Sequence, residues 1–330
     1  SPLSWNGGAL SRAVLAGVSA WVLAMLAACG EGPWNNPYPE SLATATVLYS
    51  SFEERPKHLD PVRSYSSNEY ALLAQIYEPP LQYHFLLRPY RLVPLTAEEV
   101  PVPRYLDADG EVLPEDAPAE RIAVSEYLIR IRPEILYQPH PAFAGDEQGR
   151  YRYLDLSESD LARIKVLADF PHTSTRELTA EDYVYQIKRL AVPWLHSPIS
   201  GLMQEHILDF KELAERIELA AAEPLADGER PHLDLREIPF AGAEVVDRYS
   251  YRIRIKGKYP QFAYWLAMPF FSPMPWEADR FYSQPGMARR NLSLDWYPVG
   301  TGPFWLSENN PNLRMVLERN PNFRDERYPD

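Results

Sequence analysis

Seven histidines, one cysteine and scattered carboxylates are the groups that could do chemistry in this chain. The histidines are His58, His84, His140, His172, His196, His206 and His232. None pairs at the i,i+4 spacing that sets two imidazoles on one helix face for zinc, and no His-Glu-x-x-His occurs. There is no Gly-x-Ser-x-Gly nucleophile turn and no Gly-x-x-x-x-Gly-Lys phosphate loop. Glu181 and Asp182 follow Thr179, and read as carboxylates at a helix start rather than an acid/base pair. With no cysteine besides Cys29, thiol catalysis and Cys-ligated zinc or iron–sulfur sites are excluded. The expectation is a protein that is not an enzyme and takes no cofactor and no metal.

Cys29 needs another explanation, because a lone cysteine has no internal disulfide partner. It closes an apolar run from Ala13 to Met25 that follows Arg12, and small residues Ala27 and Ala28 stand just before it. That is the pattern of a secretory signal. Leu26-Ala27-Ala28-Cys29 also resembles the bacterial lipoprotein signal, which implies lipidation of Cys29 after removal of residues 1–28. The other reading is an uncleaved anchor, since the run is near the short end of a bilayer span. No second segment is apolar enough to span.

The rest of the chain must supply the scaffold. About 300 residues follow Cys29, enough for one large or two ordinary domains. The net charge of −13 argues against nucleic acid as a partner, because phosphate binding needs a basic surface. The 33 prolines would suit disorder, but 12% aromatics argue for a folded body with stiff loops. Glu31 to Glu40 reads as a tether. Strands are expected at Thr44–Tyr49 and Ile122–Ile131, and hairpins at Asp107–Gly110 and across Asp247-Arg248. Helices are expected at Ser67–Tyr77, from Thr179 onward with Tyr183, Ile187 and Leu190 on one face, and at Gly201–Ala222. A last strand pair is expected at Phe304–Leu306 and Leu313–Leu317. The aromatic run Phe262–Phe271 reads as core before ligand box. Gly300-Thr301-Gly302 reads as a tight turn before anion cradle. The class is mixed α and β, with no internal repeat.

Five segments in order resemble the extracellular solute-binding proteins of peptide ABC transporters, the oligopeptide- and dipeptide-binding solute-binding family 5. They are Leu59-Asp60-Pro61 with Ile76-Tyr77-Glu78-Pro79-Pro80-Leu81, then Leu178 to Leu190, then Ser272-Pro273-Met274-Pro275, then Val299 to Phe304, then Val316 to Phe323. The resemblance covers most of residues 44–328. It implies a type II-like periplasmic-binding-protein fold, two lobes closing on a ligand by a hinge. It implies signal peptide 1–28, tether and start of lobe I at 29–77, a lobe I subdomain at 78–275, and a return to lobe I at 276–330. The second lobe, with the aspartate that pairs with a peptide's α-amino group, would lie beyond Asp330. Proline-rich stretches 86–120 and 138–178 depart from the family pattern.

The resemblance also implies a function: a monomeric receptor, lipid-anchored through Cys29 on the periplasmic or extracytoplasmic face. It would pass oligopeptides or similar extended solutes to an ABC permease. Tyr65, Ser66 and Ser67 match the ligand-side loop, with backbone groups and the Tyr65 ring facing the peptide, or they are only a helix lead-in. Ile199 matches a ligand-side position of some relatives. An opine, nickel-chelate or oligosaccharide receptor, a secreted hydrolase and an envelope interaction protein are the alternatives.

Overall fold

The computed structural model describes residues 46–223 and 230–326. Cys29 and the spans expected as signal, 1–28, and tether, 31–40, lie outside the described residues. The chain divides into two compact units, Ser1–Ser51 and Phe52–Asp330. In the first, residues 46–51 have no regular structure, which corrects the strand expected at Thr44–Tyr49. β-prone residues make a strand only where a second backbone takes up the ladder bonds, and propensity alone does not supply one.

In the second unit, α1 spans Ser67–Ile76 and stops at Tyr77, two residues before Pro79, as expected. A short hairpin follows, β1 (Leu81–Tyr83) against β2 (Leu92–Pro94), with Tyr83 opposite Leu92. The main sheet combines β3 (Arg104–Leu106), β4 (Val112–Leu113), β5 (Val124–Arg130), β6 (Ala243–Asp247) and β7 (Ser250–Lys256). Its order is β4-β3-β5-β7-β6, with every neighbour antiparallel. Both expected hairpins are present. In the first, Asp107 Oδ1 accepts from the N–H groups of Asp109 and Glu111, and Gly110 takes the left-handed φ of +85°.

The sheet's two faces follow from period-2 alternation. Tyr127, Ile129, Tyr251, Ile253 and Ile255 are buried on one face. The other face carries Glu126, which meets Arg104 at 2.6 Å, Arg252 at 3.3 Å and Arg254 at 3.2 Å. Helix α2 (Ala180–Arg189) packs against β6 and β7. Its Tyr183 ring lies parallel to Tyr251 with centroids 5.1 Å apart, and Tyr183, Ile187 and Leu190 are all buried. Thr179 is the N-cap, and its N–H donates to Asp182 at 2.9 Å.

The helix expected over Gly201–Ala222 is two helices, α3 (Ser200–His206) and α4 (Phe210–Ala220). Ile207 leaves the helix to bridge Ile255 of β7, Leu208 N–H donates to the Arg254 carbonyl, and Asp209 has φ +61°. Ile207 N–H keeps its helical bond to Met203, and at Leu208 a tertiary bond replaces the helical one. The run Phe262–Phe271 forms α5 (Phe262–Trp265) and a 3₁₀ turn. Phe262, Leu266, Phe270 and Phe271 are buried, so it serves mainly as core. Helix α6 (Trp276–Tyr282) follows. The last pair, β8 (Phe304–Asn310) and β9 (Arg314–Arg319), is longer than expected and has a bulge between Leu306 and Glu308.

His140 shows how completely this core excludes water. Its Nδ1 accepts from Ala142 N–H at 3.1 Å, and its Nε2 lies 2.8 Å from the Tyr282 hydroxyl. Burial lowers its pKa from 6.5 to about 3. A histidine held neutral in the fold stabilises it fully above the unfolded pKa, and that stability drains as pH falls toward the folded one. Denaturant unfolding at pH 7 and pH 5 should show wild type losing about 2 kcal/mol from this group. His140→Gln should lose clearly less over the same interval; an equal loss would place the acid sensitivity elsewhere.

Candidate functional site

Three carboxylates shape the segment between Asp60 and Glu78. Asp295 accepts from the N–H groups of Leu59 and Asp60, both at 3.1 Å, and from Arg63 at 3.2 Å. Asp60 forms a two-pronged bond with Arg189, at 2.9 and 2.7 Å. Glu69, in the first turn of α1, accepts from the N–H groups of Lys57, His58, Tyr65 and Ser66 and from the Ser64 hydroxyl. The loop preceding α1 is therefore wound around one buried carboxylate. Burial pushes the Glu69 pKa up, but the hydrogen bonds from His58, Ser64, Ser66 and Lys57 outweigh it and hold the group at about 2.

The far end of the segment is equally fixed. Glu78 receives two bonds from Arg324, at 2.8 and 2.7 Å, and one from the Thr301 hydroxyl at 2.9 Å. Gly302 N–H donates to the Ile76 carbonyl at 2.8 Å. A Cβ on Gly300 or Gly302 would collide with the backbone of Gln75 or Ile76. The Gly-Thr-Gly turn thus seats itself on the end of α1, and its backbone approach leaves room for glycine alone.

On this frame the sequence-expected ligand residues separate. Tyr65 is 73% exposed, with its ring centroid 6.1 Å from that of Phe270. Ser66 is the N-cap of α1. Ser67 opens the helix and is exposed. The N–H groups of Tyr65 and Ser66 point to Glu69, which leaves the exposed Tyr65 ring as the largest group this segment presents outward. Ile199 is 3% exposed and packs in the core. Glu69 was missed from the sequence, although Ser66-x-x-Glu69 is the spacing of a capping box.

Elsewhere, a cavity of about 510 Å³ is lined by Lys188, Asp209, Arg216, Arg236 and Phe240 among others, none of them in the Asp60–Glu78 segment. Lys188 donates there to the carbonyls of Leu235 and Ile238. Among the described residues no group of three or more His, Cys, Asp or Glu is placed to hold a metal ion.

This mixed α/β body resembles part of the two-lobed type II-like periplasmic binding proteins. A crystal structure of the oligopeptide ABC transporter substrate-binding domain from Bacillus anthracis superposes with a TM-score of 0.50 at 15% identity, over 84% of this chain and 38% of that one. Listeria monocytogenes OppA bound to peptide gives a TM-score of 0.47 at 15% identity, over 82% of this chain and 38% of that one. Residues 172–330 match the model of the bacterial extracellular solute-binding proteins, family 5 Middle. The periplasmic oligopeptide-binding protein OppA of Salmonella typhimurium is 28% identical over 149 residues, 45% of this chain and 23% of that protein. The chain therefore spans under a quarter of the length of this curated relative.

Glu69→Gln should cost about 2 kcal/mol of stability, because a neutral amide accepts the converging N–H groups less well and brings its own donors among them. A pKa held near 2 against 4.5 stabilises above 4.5, and that contribution is lost as pH falls through 2. The acid limb of wild-type unfolding below pH 4.5 should flatten in the variant; unfolding curves from pH 7 to 2.5 would show it.

Proposed function

We propose that this chain is part of the substrate-binding component of an ABC importer, and that it captures oligopeptides or similar extended solutes for delivery to a permease. The observation that carries this reading is the family-5 match of residues 172–330. The matched span contains α2, whose Arg189 holds Asp60 and so the segment that presents Tyr65. In this reading residues 29–77 begin the first lobe, 78–275 form its subdomain, and 276–330 return to it. Capture is binding without chemistry, and closure of a second lobe would enclose the ligand.

Tyr65 is the residue proposed to meet the ligand, with Ser67 beside it. An exposed aromatic ring held over a rigid loop gives contact area at low entropic cost, whatever the peptide's sequence. Ser66 contributes through α1 rather than through the ligand, because its N–H is taken by Glu69. The test is calorimetric titration of the complete reading frame with mixed oligopeptides, alongside an opine, a nickel chelate and an oligosaccharide. Tyr65→Ala should weaken peptide binding several-fold, on the order of 1 kcal/mol, without moving the melting temperature. Peptide affinity equal to wild type would remove Tyr65 from the site, whereas heat with a non-peptide solute alone would change the ligand class.

Attachment is proposed to run through a lipid on Cys29, supported by the Leu26-Ala27-Ala28-Cys29 sequence and the lack of any other cysteine. Cys29→Ser should release the protein from membranes or block its processing. Fractionation with mass measurement of the processed form decides it: unchanged retention at the wild-type mass speaks for another anchor.

A further inference from the structure

The hairpin of β1 and β2 ends in an apolar tip, Phe85-Leu86-Leu87, that the function above does not use. Leu86 is 69% exposed and Leu87 41%. Tyrosines flank the tip. Tyr90 and Tyr83 meet edge to face at 6.0 Å, and Tyr83 lies nearly parallel to Tyr264 at 6.2 Å, all three at least partly exposed. An aliphatic tip with tyrosines set behind it is the order of side chains found across a membrane–water interface.

The tip's backbone is prepared for a nonpolar medium. Leu86 and Leu87 N–H groups both donate to His84 Nδ1 at 3.2 Å. Arg88 donates to the carbonyls of Phe85 and Leu87, at 3.4 and 2.9 Å, and its guanidinium lies 4.1 Å from the Tyr90 ring centroid. A loop that enters lipid must satisfy such groups internally, and here these are satisfied. Charge points the same way. Residues 81–94 contain Arg88 and Arg91 and no acidic residue, in a chain of net charge −13. Arg91 is exposed and has no carboxylate partner among the described residues.

We infer that this hairpin tip is a peripheral membrane contact, in which Leu86 and Leu87 enter the headgroup–acyl boundary of a bilayer carrying anionic lipids, with Arg91 at the phosphates. The contact is independent of the lipid proposed on Cys29 and of the ligand. It would hold the receptor in a fixed orientation on the surface rather than merely close to it.

The test uses the full chain in a Cys29→Ser background, so that the apolar N-terminal run is common to every variant. Leu86→Cys is labelled with an environment-sensitive dye and mixed with vesicles of phosphatidylcholine alone, or of phosphatidylcholine with phosphatidylglycerol. The dye should shift to the blue, more so on the anionic vesicles. In sedimentation, the double variant Leu86→Asp/Leu87→Asp should lower partition onto anionic vesicles about tenfold. Arg91→Glu should reduce the preference for anionic over neutral lipid, and the melting temperature of each variant should stay near wild type. No dye shift, or unchanged partition of the double variant, overturns the inference. A wild type that is dimeric by light scattering and a monomeric double variant, with no response to vesicles, would overturn it in favour of a contact between copies of this chain.

Discussion

Arg189 carries a full positive charge into a place where it is 1% exposed. Such a charge is tolerated only because Asp60 meets it at 2.9 and 2.7 Å and Asp279 at 3.1 Å. Asp60 is the stronger partner: if it moves away, Arg189 keeps only its single bond to Asp279 and the Gln186 amide oxygen in a buried place. The triad therefore fixes three elements against one another, the loop at Asp60, the end of α2 and the middle of α6. Asp279 also accepts from the Tyr185 hydroxyl at 2.7 Å, which ties the previous turn of α2 into the same cluster. Everything that places Tyr65 rests on this cluster, with Asp295 and Glu69 trimming the loop between.

A second guanidinium repeats the device at the other end of α2. Arg176 meets Asp182 at 2.6 Å and Glu277 at 2.7 Å. The helix is thus clamped at its start and its finish by arginines that each bridge two carboxylates, and both clamps reach α6. Apolar contact alone would let a ten-residue helix slide along the sheet; the two clamps fix its register. Polar groups here add little net free energy beyond apolar replacements, but they select one arrangement among several.

What could be read from the sequence was local. The end of α1 before Pro79, the Thr179 cap, the alternation of Tyr251, Ile253 and Ile255, and the Asp107–Gly110 turn all follow from neighbours within a few residues. The aromatic run at Phe262–Phe271 was legible as core by composition. What escaped depends on distant partners. Ile207 breaks the expected single helix because Ile255 offers it a bridge, and nothing in residues 201–222 reveals that. The hairpin at 81–94 was lost in a proline-rich stretch, because three-residue strands give almost no periodic signal. At the candidate site, an Asp-Pro spacing drew attention to Tyr65 and Ser66, but not to the fact that their N–H groups turn inward. That depends on Glu69, whose capping spacing was visible, and on a chain path that was not. Ile199 was carried over from a pattern of positions, and in the fold it packs in the core.

The bonds that hold the Asp60–Glu78 segment join residues far apart in the chain. Asp60 and Arg189 are 129 residues apart, Asp60 and Asp295 235, and Glu78 and Arg324 246. Closing such long loops is slow, since their entropy is spent before any contact repays it. As the chain leaves the ribosome, the segment that shapes the candidate ligand face is made well before the distant partners that fix it. Glu69 finds its donors within a dozen residues, but Asp60 must wait for Arg189 and Glu78 for Arg324. The order of synthesis is thus nearly the reverse of the order in which this face becomes a surface of definite shape.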